Sequence, residues 1–122
     1  MKKERVVDKS KEVKCKGDVI TMNRFSAVGR VTKKPEMKQT TKGTKYVQYI
    51  LACKRKIQSE GKQDTDFLPC VAWNKLAELM DMYLDKGSLI AVDGHVQTRQ
   101  YKTSNGETRY VTEIITESID FL

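Results

Sequence analysis

Histidine and tryptophan each occur once in the 122 residues and cysteine three times, and these scarcities close off most active-site chemistry. Cys15, Cys53 and Cys70 are odd in number and lack CxxC spacing, so they do not describe a disulfide framework. With His95 as the lone imidazole they make no zinc set. Cys53 and Cys70 sit in apolar, strand-like runs, where a free thiol behaves as a small hydrophobe; they read as structural thiols of a reducing compartment. A P-loop and a GxGxxG run are absent. Asp64 and Asp66 are turn carboxylates without further ligands, better suited to solvation or capping than to holding a metal. The expectation is a protein that is not an enzyme and needs no metal and no cofactor. No uncharged apolar run approaches the ~20 residues of a membrane span, and the charged N-terminus has no signal-peptide core. A cytoplasmic protein without a membrane segment is expected.

The chain does have an excess of positive charge. Lys and Arg number 23 against 16 Asp and Glu, a net of +7, the electrostatic footprint of a polyanion binder. Residues 24–62 carry eleven basic side chains against Glu36 and Glu60, a net of +9, whereas residues 63–122 come to −5 and residues 1–23 to +3. The field therefore belongs to a folded segment more than to a tail. Hydrophobic residues make up 39% of the chain, enough for one modest core in one domain.

Residues 1–21 are lysine-rich and poor in large apolar side chains, which predicts a flexible basic N-terminal extension. The folded domain is expected over residues 22–122. Residues 24–33 read as a strand bent at Gly29. A polar, basic connection with Pro35 and Gly43 follows. Residues 46–57 alternate, with Val47, Tyr49, Leu51 and Cys53 on one face. Residues 58–66 form a turn-rich loop. Residues 66–73 are a third strand, in which Pro69 asks for an edge or a bulge. Asn74 is an N-cap type, and Leu76, Leu79, Met80, Tyr83 and Leu84 line one helical face. Lys86 and Gly87 end that helix with a last-turn cation and a C′ glycine. Residues 88–101 make a long strand bent at Gly94, Asn105-Gly106 signals a hairpin, residues 108–115 return, and residues 118–122 close the chain. The class is all-β: a five-stranded OB-fold Greek-key barrel with one short helix between strands 3 and 4.

Five motifs occur in order: MNRFSAVGRVTKKPE (22–36), DFLPCVAW (66–73), YLDKGSL (83–89), VDGHVQTRQY (92–101) and YVTE (110–113). Over residues 22–122 the chain resembles the bacterial single-stranded-DNA-binding protein family. The resemblance implies an OB-fold that coats and protects single-stranded DNA with little base preference during replication, recombination or repair. Such binding needs a basic groove for phosphates and aromatic faces on which bases stack. Matched by motif, the family's stacking positions fall on Ile57, Phe67, Trp73 and Tyr101, and Ile57 departs from the pattern because it has no π-face. For Phe67 and Trp73 a place in the core of a small barrel is, on position alone, the lesser alternative. Tyr46, Tyr49 and Tyr110 are ambiguous, with core packing favoured for Tyr49. Arg24, Arg30, Lys33, Lys54, Arg55, Lys56, Lys75, Arg99 and Lys102 are the candidate contacts to the DNA backbone. A homotetramer is implied as well, paired through the sheet face around residues 24–31, since an open apolar face wants a partner. Family members generally continue into a tail with an acidic-apolar tip that recruits other proteins. This sequence ends at Asp120-Phe121-Leu122, and a tail-less form without that recruitment is expected. The alternative is an OB-fold accessory or interaction module, primosomal-type or RNA-binding, with weak or lost single-strand binding.

Overall fold

A computed structural model describes residue 17 and residues 21–56 and 64–122. The expected extension apart from Gly17 and Thr21, Cys15, the departure at Ile57 and residues 58–63 of the loop lie outside the described residues.

Strand β1 (Phe25–Val31) pairs with two neighbours, and this shapes the whole sheet. Along its length it runs antiparallel to β5 (Leu89–Lys102), while Arg30 and Val31 also face Ala52 and Leu51 of β3 (Lys45–Lys54). β3 pairs from Tyr46 to Lys54 with β4 (Thr65–Trp73), β4 pairs in parallel with β6 (Thr108–Phe121), and β6 returns antiparallel along β5. The pairings thus form a circuit, β1-β5-β6-β4-β3 and back to β1, in the all-β arrangement of an OB-fold. Gly29 is required where β1 crosses onto β3: a Cβ there would lie 2.6 Å from the Ala52 carbonyl oxygen.

The basic connection contains a further short strand, β2 (Met37–Gln39), paired outside the circuit on β3. Three residues carry too little periodicity to stand out in a sequence. The closing segment is not a separate piece but the end of β6, which runs unbroken through residues 116 and 117. Pro69 sits in register with Ile50, just before the β4–β6 ladder begins at Cys70 and Ile114, so at that point β4 is an edge on its β6 side, as expected, and no ladder donor is asked of it there.

The alternation of β3 points Val47, Tyr49 and Leu51 inward, where they meet Val31, Cys70, Ala72, Ile90, Val92 and Ile114. Tyr49 is in this core, as its spacing suggests, and its hydroxyl is 2.6 Å from Thr116 Oγ1. Burial pushes the Tyr49 hydroxyl up and the Cys70 thiol up to about 12, so neither ionises in the physiological range.

Helix α1 (Lys75–Tyr83) plugs one end of the circuit with Ala77 and Met80, followed by Leu84 just past its end. Its ends differ from expectation. Asn74 makes no side-chain cap; it has a φ of 57°, and its backbone N–H donates to the Lys45 carbonyl at 2.9 Å, tying the helix start to β3. The helix stops at Tyr83, so Gly87 is not its C′ residue. Gly87 takes its φ of 88° in the following turn and donates to the Val31 carbonyl at 2.7 Å. Tyr83 is exposed rather than buried and meets Phe121, their ring centroids 6.1 Å apart. At the far tip, Gly106 has a φ of 86° and donates to the Thr103 carbonyl at 3.0 Å, closing the β5–β6 hairpin at the expected Asn-Gly.

Candidate nucleic-acid interface

Strand register decides which side chains share a surface. Facing outward from the core, Tyr46, Gln48, Ile50 and Ala52 of β3 stand opposite Trp73, Val71, Pro69 and Phe67 of β4. The same surface continues through Val71–Ile115 onto β6, and through Glu113–Gln97, Val111–Arg99 and Arg109–Tyr101 onto β5. Phe67, Trp73 and Tyr101 therefore project from one sheet face. They are 56%, 38% and 47% exposed, which removes all three from the core. Phe67 and Trp73 are six residues apart on one strand, roughly 20 Å at the usual rise. Tyr110 stands opposite Gln100 and belongs to the other face of the hairpin.

Trp73 packs against Tyr46 with ring centroids 5.2 Å apart and planes inclined at 36°. Beside this pair lies a cleft of about 320 Å³, walled also by Gln48, Gln97, Arg99 and Glu113. Arg99 donates from Nε to Glu113 Oε1 at 2.8 Å, and its guanidinium lies 6.0 Å from the centre of the Tyr101 ring. The carboxylate raises the Arg99 pKa further, so the cation is permanent. A second cleft of about 390 Å³ adjoins the first through Gln48 and Glu113, and Lys33, Lys34 and Lys38 line it.

The nine candidate cations divide on this geometry. Lys33 and Arg99 line the two clefts. Lys54 ends β3 on the Phe67 side, and Lys102 lies one residue beyond Tyr101; both are exposed. Lys56 follows β3 in the open and Lys75 begins α1, likewise exposed. Arg55 stands apart. It grips Asp66 from Nε and Nη2, with its closest contact at 2.8 Å, and holds that carboxyl below the usual carboxylate range. Register places Asp66 opposite Cys53, on the other side of the β3–β4 hairpin from Phe67.

Arg24 and Arg30 lie elsewhere, on the outer side of β1. Arg30 donates to the Gly87 carbonyl at 2.8 Å. Arg24 follows Asn23, whose side-chain amide extends the ladder by bonding both the N–H and the carbonyl of Val96 at 2.9 and 2.7 Å. The structure thus groups the aromatics with Lys33, Lys54 and Arg99, and separates them from Arg24, Arg30 and Arg55; Lys102, opposite Thr108, lies on the face of the hairpin that carries Tyr110.

Tyr46, Gln48, Gln97 and Glu113 escaped the sequence reading as parts of a site. The even-numbered alternation of β3 carries Tyr46 and Gln48 to the outer face, and that pattern alone could have raised them. His95 makes no catalytic set: its Nδ1 lies 2.5 Å from Glu117 Oε2 and its Nε2 lies 3.3 Å from Gln97 Oε1. Among the described residues no cluster of His, Cys, Asp and Glu suits a metal ion, and no helix is long and apolar enough to cross a membrane.

Residues 22–122 match the single-strand binding protein family. Over 102 residues, 83% of this chain, it is 45% identical to single-stranded DNA-binding protein 3 of Clostridium acetobutylicum, covering 71% of that protein. The single-stranded DNA-binding protein of Clostridium tetani is 43% identical over the same share of this chain, with 70% of its own length covered. Single-stranded DNA-binding protein 3 of Listeria innocua is 47% identical, with 64% of its length covered. With the strand circuit, the exposed aromatic row and a match spanning residues 22–122, this chain belongs to the single-strand binding protein family.

Proposed function

We propose that this chain binds and protects single-stranded DNA, with little sequence preference, during replication, recombination or repair, and that it does so as a binding protein without catalysis of its own. The observation that carries this reading is the row of Phe67, Trp73 and Tyr101 on one outer sheet face, with Lys33, Lys54 and Arg99 around it. Bases stack on the exposed rings, and every base has a π-face, so the interaction tolerates any sequence. The lysines and arginine neutralise phosphates and release counterions, which makes affinity fall with salt. Arg55, held by Asp66, contributes less to the backbone path than its neighbours Lys54 and Lys56.

The assembly we infer is a homotetramer that pairs in part through the outer side of β1, where Val28 is 57% exposed between Ser26 and Arg30. A closed symmetric assembly covers such a surface, and light scattering should report about four chains per particle. A location at the DNA of the cytoplasm follows from the ligand.

The direct test is a titration of Trp73 fluorescence with poly(dT). Because Trp73 is the only tryptophan, the signal is unambiguous. Stacking of bases quenches it in a saturable manner, and absence of any change together with absence of binding would favour an interaction module over a DNA-coating protein.

A further inference from the structure

The three exposed rings of the outer face are held differently. Phe67 stands opposite Ala52, whose side chain is a single methyl, and Tyr101 stands opposite Arg109. Trp73 stands opposite Tyr46, and among the described residues it alone of the three packs against another ring, with centroids 5.2 Å apart. Strand pairing explains the contact. The Asn74 N–H donates to the Lys45 carbonyl, so Tyr46 and Trp73, one step along the ladder, form a non-hydrogen-bonded pair. In such a pair the two side chains stand closest. On its other flank Tyr46 stands opposite Lys38 of β2, and the next residue, Val47, is fully buried in the core. Tyr46 is thus half-buried on a strand paired on both sides, while Trp73 stays exposed beside it.

We propose that Tyr46 is a positioning residue for single-strand binding: it holds the Trp73 indole in the orientation on which a base stacks, before DNA arrives. The inference rests on the single-strand binding proposed above and assigns it a residue that does not itself carry a base. An exposed side chain samples several rotamers. Docking a base on it freezes one of them, and the lost freedom subtracts from affinity. An indole already seated against a neighbouring ring loses less. The tilt of 36° and the 5.2 Å separation lie within the range that aromatic pairs favour. At that separation no base fits between the two rings, so Tyr46 acts through Trp73 and not by sandwiching a base with it. Phe67, opposite only a methyl, has no such support and is ordered by the base itself.

Trp73 is the only tryptophan, so its fluorescence reports this ring directly. Time-resolved anisotropy of Trp73 is recorded without DNA on the full chain and on Tyr46→Val, a replacement that suits a strand. Dissociation constants for fluorescein-labelled oligo(dT) are measured for both, for Trp73→Ala and for the double variant, with folding checked by circular dichroism. In Tyr46→Val the fast, local component of the Trp73 decay should grow, and affinity should fall about two- to tenfold, the range covered by ordering one side chain. Tyr46→Phe, which keeps the ring, should behave as the wild type in both measurements. In the Trp73→Ala background Tyr46→Val should change affinity by less than about twofold, because the ring it positions is gone. An undiminished loss in that background would overturn the proposal by making Tyr46 a direct contact. Unchanged anisotropy or unchanged affinity in Tyr46→Val would overturn it as well. Should Tyr46→Val not fold, Tyr46→Leu replaces it with the same expectations. Failure of the wild type to bind oligo(dT) would instead overturn the single-strand binding on which the role rests.

Discussion

The two halves of β5 are one continuous strand in two environments. From Leu89 to Gly94 the strand has neighbours on both sides, β1 and β6, and its side chains alternate between core and surface, with Ile90 and Val92 fully buried. From His95 to Lys102 it pairs only with β6, and from Val96 onward every residue is exposed. The change comes at a bulge: Asp93 faces Ser118 and Gly94 faces Thr116, so Glu117 is left over on β6. One extra residue bends and twists the ladder and turns the hairpin away from the core. The first half therefore holds the fold together by burial, and the second leaves Arg99 and Tyr101 exposed on the outer face.

The sharpest way to break this division is at the bend itself. A Cβ on Gly94 would lie 1.9 Å from the Ile115 carbonyl oxygen, which is backbone and cannot step aside. Gly94→Ala should lose more than about 4 kcal/mol, a size reserved for such mechanisms, read by urea denaturation or as failure to recover folded protein. Next comes Ile90→Ala in the buried half, expected to cost about 2–5 kcal/mol by the same measurement. Tyr101→Ala in the projecting half should leave stability within about 0.5 kcal/mol and cost about 1–3 kcal/mol in single-strand affinity. A large stability loss there would show that the hairpin arm is part of the core after all.

Charge sharpens the comparison further. Lys54→Ala should reduce the slope of log affinity against log salt by about 0.7, the value for one single-strand phosphate contact. Arg55→Ala should change it less, because Asp66 already neutralises that guanidinium. Equal effects would mean the Arg55–Asp66 pair opens on binding.

The smallest effect lies at the bulge. Glu117, by its hydrogen bond, raises the His95 pKa above 6.5, with Gln97 adding to the shift. A raised histidine pKa stabilises the fold fully below the unfolded value and ceases to do so as pH rises through the folded value. The melting temperature of the wild type relative to His95→Gln should therefore be highest near pH 6 and decline above it, and a difference independent of pH would remove His95 from the bulge's stability.

Much of this was written locally. The alternation of residues 46–57 anticipated the buried side of β3, because period two in a half-buried strand leaves few other solutions. The motif order anticipated the family and singled out Phe67, Trp73 and Tyr101, which stand exposed on one sheet face. Less was legible where the cause is not local. Asn74 looked like a side-chain cap, but a bond from its backbone to Lys45 decided its conformation. Gly87 looked like a helix terminator, but the turn is fixed by contact with Val31. Lys54, Arg55 and Lys56 read as one basic run, yet pleating divides neighbours between faces and Asp66 claims the middle one.

By itself, then, the sequence determined the all-β class, the helix that follows Trp73, the basic character of residues 24–62 and the aromatic types of the outer face, since composition and periodicity are local properties. Only the tertiary structure decided which of these side chains meet. Tyr46 joins Trp73 across the β3–β4 pair, Glu113 joins Arg99 across the β5–β6 pair, and the parallel contact of β4 with β6 brings the two pairs to one cleft. That convergence depends on register between strands distant in the chain, and register is set by how a whole core closes, not by any one segment.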